Sequence, residues 1–213
     1  MNARFMEVEL LVERGVLVPR EETELLGATA LNLLSENARI IDMCCGSGNL
    51  ACALASRAPD SRIWASDLTE ACVNLARRNA AHTGVADRVT VVQGDLFSAL
   101  KGLEGTIDLV VCNPPYISQA KLAGERAALL ENEPREAFDG GPYGLSIHQR
   151  VVKEALPFLK PGGSLLFEIG LGQERQVKML FERTRAYEDI RMVANAAGEV
   201  RVVAGRKLNQ RGN

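Results

Sequence analysis

From Ala38 to Gly170 the chain repeats one pattern: a short apolar run, a polar turn, then a helix-length segment. "ARIIDMC" precedes "NLACALASRA", "SRIWASD" precedes "TEACVNLARRNAAHTG", and "RVTVVQGD" and "TIDLVVC" follow as further apolar runs. "SIHQRVVKEALPFLKPGG" then reads as a helix closed at Pro161-Gly162-Gly163, "SLLFEIG" as a fifth strand and "QERQVKMLFERTRA" as a helix. Strands that alternate with helices in series build a parallel sheet with helices on both faces. The runs lack a polar residue at every second position, as expected when both faces of the sheet are covered. The pattern predicts a Rossmann-like, doubly wound α/β sheet. "DIRMVANAAGEVRVVAGRKL" adds two final strands, the last of them antiparallel.

Ahead of this core, "VELLV-ERG-VLV" predicts a hairpin turning at Gly15, and "PREETELLGATALNLLSE" a helix with Pro19 near its start. The 213 residues are expected to form a single domain, with residues 1–36 as the hairpin and helix and residues 37–213 as the core. Residues 117–144, rich in glycine, proline and acids, stand out as a long connection of the kind that usually serves function. A net charge of −2 and a pI near 5.8 supply no general basic field for nucleic acid. No run is long enough to span a membrane and no leader is evident, so a cytoplasmic protein is expected. Five scattered cysteines (Cys44, Cys45, Cys52, Cys72, Cys112) fit reduced thiols packed in a core, and two histidines argue against a histidine-rich metal site.

In such sheets the ligand lies beyond the carboxyl ends of the strands. Four features fall there. Cys44, Cys45, Gly46, Ser47 and Gly48 turn the first strand into a helix, with glycines that let backbone approach a ligand. Asp67 ends the second strand nineteen residues after Gly48, a spacing suited to ribose hydroxyls, although an acid there also serves as a helix cap. Asp95 follows the third strand and can accept from an adenine amino group, with Leu96 and Phe97 as walls; "NPPY", Asn113 to Tyr116, follows the fourth. Together these predict a cofactor that carries a nucleoside. The third glycine of a dinucleotide fingerprint is missing after Gly48, which favours S-adenosylmethionine over a dinucleotide.

"NPPY" suits the transfer of a methyl group to a planar NH2. Such a nitrogen has its lone pair delocalised and needs acceptors on both N–H bonds to aim that pair. Asn113 offers a side-chain carbonyl and Pro114 a rigid backbone carbonyl, while proline removes competing donors. Tyr116 can stack on a flat group. Both acceptors bind more strongly as the nitrogen becomes cationic, which is what catalysis requires.

The chain resembles the class I methyltransferases, and within them the HemK/PrmC family, which methylates the side-chain amide nitrogen (N5) of glutamine. The resemblance runs from about Phe5 to the C-terminus and rests on "GVLVPREETELL", "IDMCCGSG", "ASDLTEACVNLARRNA", "LVVCNPPYIS", "EPREAFDGG" and "LKPGGSLLFEIGLGQ". It implies that residues 44 to 48, Asp67, Asp95, Leu96 and Asn113 contact S-adenosylmethionine and its product S-adenosylhomocysteine. It also implies that Asn113, Pro114, Pro115 and Tyr116 hold the substrate amide, with no metal. Three departures stand out: Cys44 replaces a glycine, Tyr143 an acid, and His148-Gln149 a Tyr-Arg pair. The small N-terminal helical domain of typical members is not matched by this sequence. The implied substrate is a protein with an exposed glutamine, such as a peptide chain release factor. An amide or amine of a small metabolite is the alternative, and an exocyclic amine of nucleic acid a third, disfavoured by the acidic pI.

Overall fold

The computed structural model describes residues 2–124, 126–131 and 133–209. A seven-stranded sheet runs in the order β5-β4-β3-β6-β7-β9-β8. Its strands are β3 (Arg39–Met43), β4 (Arg62–Asp67), β5 (Val89–Gln93), β6 (Ile107–Cys112), β7 (Leu159–Glu168), β8 (Tyr187–Ala194) and β9 (Val200–Lys207). The first five pair in parallel, and β9 inserts antiparallel between β7 and β8. Helices α2 (Asn49–Arg57), α3 (Glu70–His82), α5 (Ser146–Glu154) and α6 (Glu174–Thr184) connect the strands. The doubly wound reading therefore holds, and its basis is visible in the central strands. Ile40, Ile41, Asp42 and Met43 of β3 and Leu109 to Cys112 of β6 are all buried, as a strand covered on both faces requires.

The sheet's order places the site. From β3 the chain winds outward through β4 to β5, then returns to β6 on the other side of β3. Met43 and Cys112 are register partners across that switch. The residues that follow each, the glycine turn after β3 and Asn113 after β6, therefore leave the sheet side by side.

The N-terminal hairpin forms, but earlier than the sequence suggests. Strands β1 (Asn2–Phe5) and β2 (Val8–Leu11) pair around Met6 and Glu7, which both adopt positive φ (45° and 70°). Two left-handed residues in a row give the backbone of a tight hairpin turn, here without the glycine that usually marks it. Val16 to Val18 form no strand. A helical turn at Glu21–Thr23 leads into α1 (Glu24–Leu31), shorter than the predicted helix. Phe5, Leu10, Leu26 and Ala30 pack with Leu50, Ala51 and Leu54 of α2, so this lead-in shares one core with the sheet.

Two further expectations are corrected. The helix after "GGPYGL" ends at Glu154, and Lys160-Pro161-Gly162-Gly163 lies inside β7. The register shifts there between Ile107 and Leu109, and a Cβ on Gly163 would sit 3.0 Å from the Ile107 carbonyl oxygen. These glycines serve an irregular strand rather than a helix stop. The long connection between β6 and α5 carries a short helix, α4 (Gln119–Ala123), and helical turns at Ala127–Glu131 and Arg135–Ala137. Fully buried Leu122 and the bridge between Ile117 and Asp139 anchor it to the body.

Candidate active site

The turn after β3 is built from left-handed residues: Cys44 at φ 59°, Gly46 at 54° and Gly48 at 75°. Cys44, where a glycine would be easier, accepts a conformation that costs an L-residue roughly 1–2 kcal/mol. A Cβ on Gly48 would lie 3.0 Å from the Ala76 methyl, so α3 packs directly on this backbone. A Cβ on Gly46 would meet nothing, so that face of the turn is open.

Asp67 spans the gap between this turn and α3. Its Oδ2 accepts from the Gly46 N–H at 2.9 Å and its Oδ1 from the Thr69 N–H at 3.1 Å. Thr69, not Asp67, is the residue that caps α3, accepting from the Cys72 N–H. Asp95 lies further along the same edge, its carboxylate held by both Arg150 nitrogens at 2.9 and 3.1 Å. Leu96 is buried in a left-handed conformation, φ 49°. Phe97 turns inward and stacks on Phe158 with ring centroids 4.8 Å apart, so it is core rather than a wall of the open edge.

Asp42, which no sequence signal marks, joins the candidate site as part of the smaller cavity's lining. It is fully buried at the end of β3, and its Oδ2 accepts from the Ala51 N–H at 3.0 Å. Its Oδ1 has no hydrogen-bond partner among the described residues. Burial, opposed by that backbone bond and reinforced by nearby Asp67, pushes its pKa up to about 7.

Asn113 stands between two cavities. One, of about 30 Å³, lies against the glycine turn and is lined by Asp42, residues 44 to 47, Leu17, Arg20 and Thr23. The other, of about 600 Å³, runs past Pro114, Tyr116, Phe138, Glu168 and Arg201. Asn113, Leu17 and Arg20 line both. The Asn113 amide nitrogen donates to Thr23 Oγ1 at 3.1 Å, while its Oδ1 and the Pro114 carbonyl accept no hydrogen bond among the described residues.

The wall of the larger cavity is polar and tied together. The Tyr116 hydroxyl donates to Glu168 Oε1 at 3.3 Å, and Arg201 Nη2 donates to that hydroxyl at 3.4 Å. Burial and the neighbouring Glu168 push the Tyr116 pKa up to about 12, so the phenol stays protonated. Gln173 fastens the loops: it accepts from the Gly170 N–H at 2.9 Å and donates to the carbonyls of Tyr116 (2.9 Å) and Gly144 (3.3 Å). His148, one of the departures, is buried with Nε2 3.1 Å from the Glu168 carbonyl oxygen, and burial lowers its pKa to about 4. It is a neutral support for the end of β7. Tyr143 and Leu171, 84% and 55% exposed, border the cavity's mouth.

Gly144 shows how tightly the loops are set. Its φ is 73°, and a Cβ there would fall 2.3 Å from the Tyr116 carbonyl oxygen. We expect Gly144→Ala to destabilise the protein by about 2–4 kcal/mol, combining left-handed strain with overpacking. Chemical denaturation measures this, and a loss below about 0.5 kcal/mol, the range of an ordinary surface change, would contradict the packing described.

The arrangement has the architecture of a methyltransferase: a glycine turn at the sheet's switch point beside a rigid acceptor pair. The family model "Methyltransferase small domain" matches residues 22–141. The chain is 39% identical over 202 residues to the release factor glutamine methyltransferase of Moorella thermoacetica, covering 94% of this chain and 70% of the relative. The corresponding protein of Geobacter sulfurreducens is 37% identical over 202 residues, covering 95% and 69%. This chain therefore belongs to the family of release factor glutamine methyltransferases. A methyltransferase from Pyrococcus furiosus shares the fold at a TM-score of 0.68 and 18% identity, covering 94% of this chain and 89% of that structure. Among the described residues no helix is long and apolar enough to cross a membrane.

Proposed function

We propose that this protein methylates the side-chain amide nitrogen of a glutamine in a protein substrate, a peptide chain release factor, with S-adenosylmethionine as donor. The observation that carries the reading is Asn113, with an unpaired carbonyl oxygen where the cavity at the glycine turn meets the larger one. The relatives' shared name supports the choice of substrate.

The residues around the smaller cavity fit this cofactor. Asp42 presents an unpartnered, buried carboxylate oxygen to the smaller cavity, which suits the ammonium end of an amino acid. The open face at Gly46 admits close approach. Asp67 keeps lone pairs beyond its two backbone bonds for ribose hydroxyls. Asp95 and Leu96 lie at the edge suited to the base, although Asp95 would share its carboxylate with Arg150. Cys44, Cys45 and Ser47 shape the turn. When bound, S-adenosylmethionine supplies a methyl group already activated by its sulfonium, leaving S-adenosylhomocysteine as product.

The chain's own part is alignment. Asn113 Oδ1 and the Pro114 carbonyl accept the two N–H bonds of the glutamine amide and aim its lone pair. Pro115 stiffens the turn, and Tyr116, anchored by Glu168 and Arg201, forms the wall beside the amide. Their acceptor dipoles favour the positive charge that grows on nitrogen. An exposed, partly apolar mouth at Tyr143 and Leu171 suits a protein segment better than a free metabolite.

Transfer of labelled methyl to a purified release factor, run beside a metabolite extract and unmodified DNA and RNA, tests the reading. Label in the protein alone is expected; label in the extract or nucleic acid alone would refute it. Asp67→Ala should weaken binding of the cofactor or its product by roughly 1–3 kcal/mol, the scale of hydrogen bonds to a charged group. Unchanged affinity by calorimetry would remove Asp67 from the ribose site.

A further inference from the structure

The proposed reaction uses only one end of the Asn113 side chain. A carboxamide carries an acceptor and a donor in nearly the same shape, so something must decide which one faces the larger cavity. The answer lies in a cluster of polar side chains beside it. Asn113 Nδ2 is 3.1 Å from Thr23 Oγ1, and Thr23 is 1% exposed. Glu168 is likewise 1% exposed, and its Oε2 has no hydrogen-bond partner among the described residues. Arg201 Nη2 lies 3.7 Å from Glu168 Oε1 and 3.4 Å from Glu22 Oε1, and the Tyr116 hydroxyl completes the shell around Glu168.

A threonine hydroxyl has one proton. Its oxygen keeps lone pairs, and it is this oxygen that receives the Asn113 Nδ2 donor, leaving Oδ1 as the end of the amide without a partner among the described residues. Without Thr23, nothing among these contacts would hold either end of the amide. We propose that Thr23 is a positioning residue: its buried hydroxyl oxygen accepts from Asn113 Nδ2 and so holds Oδ1 as the end presented to the substrate. This deepens the methyl-transfer reading and rests on it. Burial holds the Glu168 pKa above the ordinary carboxylate value, with Arg201 among the neighbours that oppose the shift.

Two readouts test the assignment, one of which needs no turnover. In the protein without ligand, NMR of the Asn113 side-chain amide should show one proton shifted downfield and slow to exchange. Thr23→Val should abolish that signature and Thr23→Ser restore it. An Asn113 amide that exchanges freely in the unsubstituted protein would overturn the proposal without any variant. In turnover of the glutamine substrate, Thr23→Val should lower kcat roughly tenfold, the scale of one lost hydrogen bond, with cofactor affinity unchanged. Thr23→Ser should recover most of the rate, and Thr23→Val should cost nothing further in an Asn113→Ala background. An equal loss in that background would show a structural effect and overturn the proposal, as would an unchanged kcat. Should Thr23→Val not fold, Thr23→Ala takes its place under the same criteria. If the unsubstituted enzyme transfers no methyl to glutamine, the functional reading fails, while the NMR signature still decides the hydrogen bond.

Discussion

Asn113→Ala should lower kcat by on the order of a hundredfold or more, by analogy with the loss of one preorganised transition-state contact. The fold should survive, because Asn113 is only half-buried and its one side-chain hydrogen bond among the described residues, to Thr23, is not part of the sheet. Cofactor affinity should change little, since the larger part of the proposed contacts lies on Asp42, Asp67 and the turn at 44 to 48. Asn113→Asp keeps an acceptor and adds negative charge beside a nitrogen that becomes cationic. It also replaces the donor that Thr23 receives with a second acceptor, to which the Thr23 hydroxyl must turn its own proton. The alanine variant is expected to be the slower of the two. Single-turnover rates with saturating cofactor make the comparison, and a wild-type rate for Asn113→Ala would remove the acceptor pair from the chemistry.

Asp42→Asn should act on binding and stability in opposite senses. The ionised carboxylate is buried with one oxygen unpartnered, and its folded pKa of about 7 lies above the ordinary value of 3.8. Between those two values the unfolded chain has lost the proton and the folded chain still holds it. Stability contributed by Asp42 therefore falls as pH rises from about 4 to about 7, and the penalty persists above. The amide variant carries no such charge. It should be more stable than the unsubstituted protein at pH 8 without ligand, and its stability should vary less across that window. A ligand with an ammonium group should in turn lose affinity, by roughly ten- to a hundredfold, the scale of a hydrogen bond between charged groups. The unsubstituted protein should release a proton on binding such a ligand below pH 7. Calorimetry with S-adenosylhomocysteine in buffers of different ionisation enthalpy reads all of this. Unchanged affinity with no proton release would place the ammonium elsewhere.

Much of the fold and part of the site could be read from local sequence, and the misses have physical causes. Continuous apolar runs announced buried strands because both faces of β3 and β6 are covered. The glycine turn and "NPPY" were readable because each confines its chemistry to a few adjacent residues. The hairpin was misplaced because Gly15 looked like its turn, while Met6 and Glu7 adopt the left-handed conformation without glycine. "LKPGG" looked like a helix stop because nothing local reveals the carbonyls of Ile107 and Asp108 that demand Gly163 within β7. Thr23, Glu168 and Arg201 meet across most of the chain's length, and only the fold brings them to Asn113. The motifs that hold Thr23 and Glu168, "VPREETELL" and "EIGLGQ", were recognisable as characteristic, but the roles of these two residues were not, and no motif marked Arg201. Asp42 reads as one more strand residue until its unpaired oxygen is located. The inward turn of Phe97 is likewise set by Phe158, which lies far along the chain.

The most direct test of the central claim is the position of the methyl group. After reaction of this protein with a release factor and S-adenosylmethionine, tandem mass spectrometry of the digested substrate should find one added methyl on the side-chain nitrogen of a single glutamine. The same digest after reaction with Asn113→Ala should show little or none. A methyl on a backbone atom, on another residue type or on a carboxylate oxygen would contradict the account, because the paired acceptors at Asn113 and Pro114 are proposed to select an NH2 group.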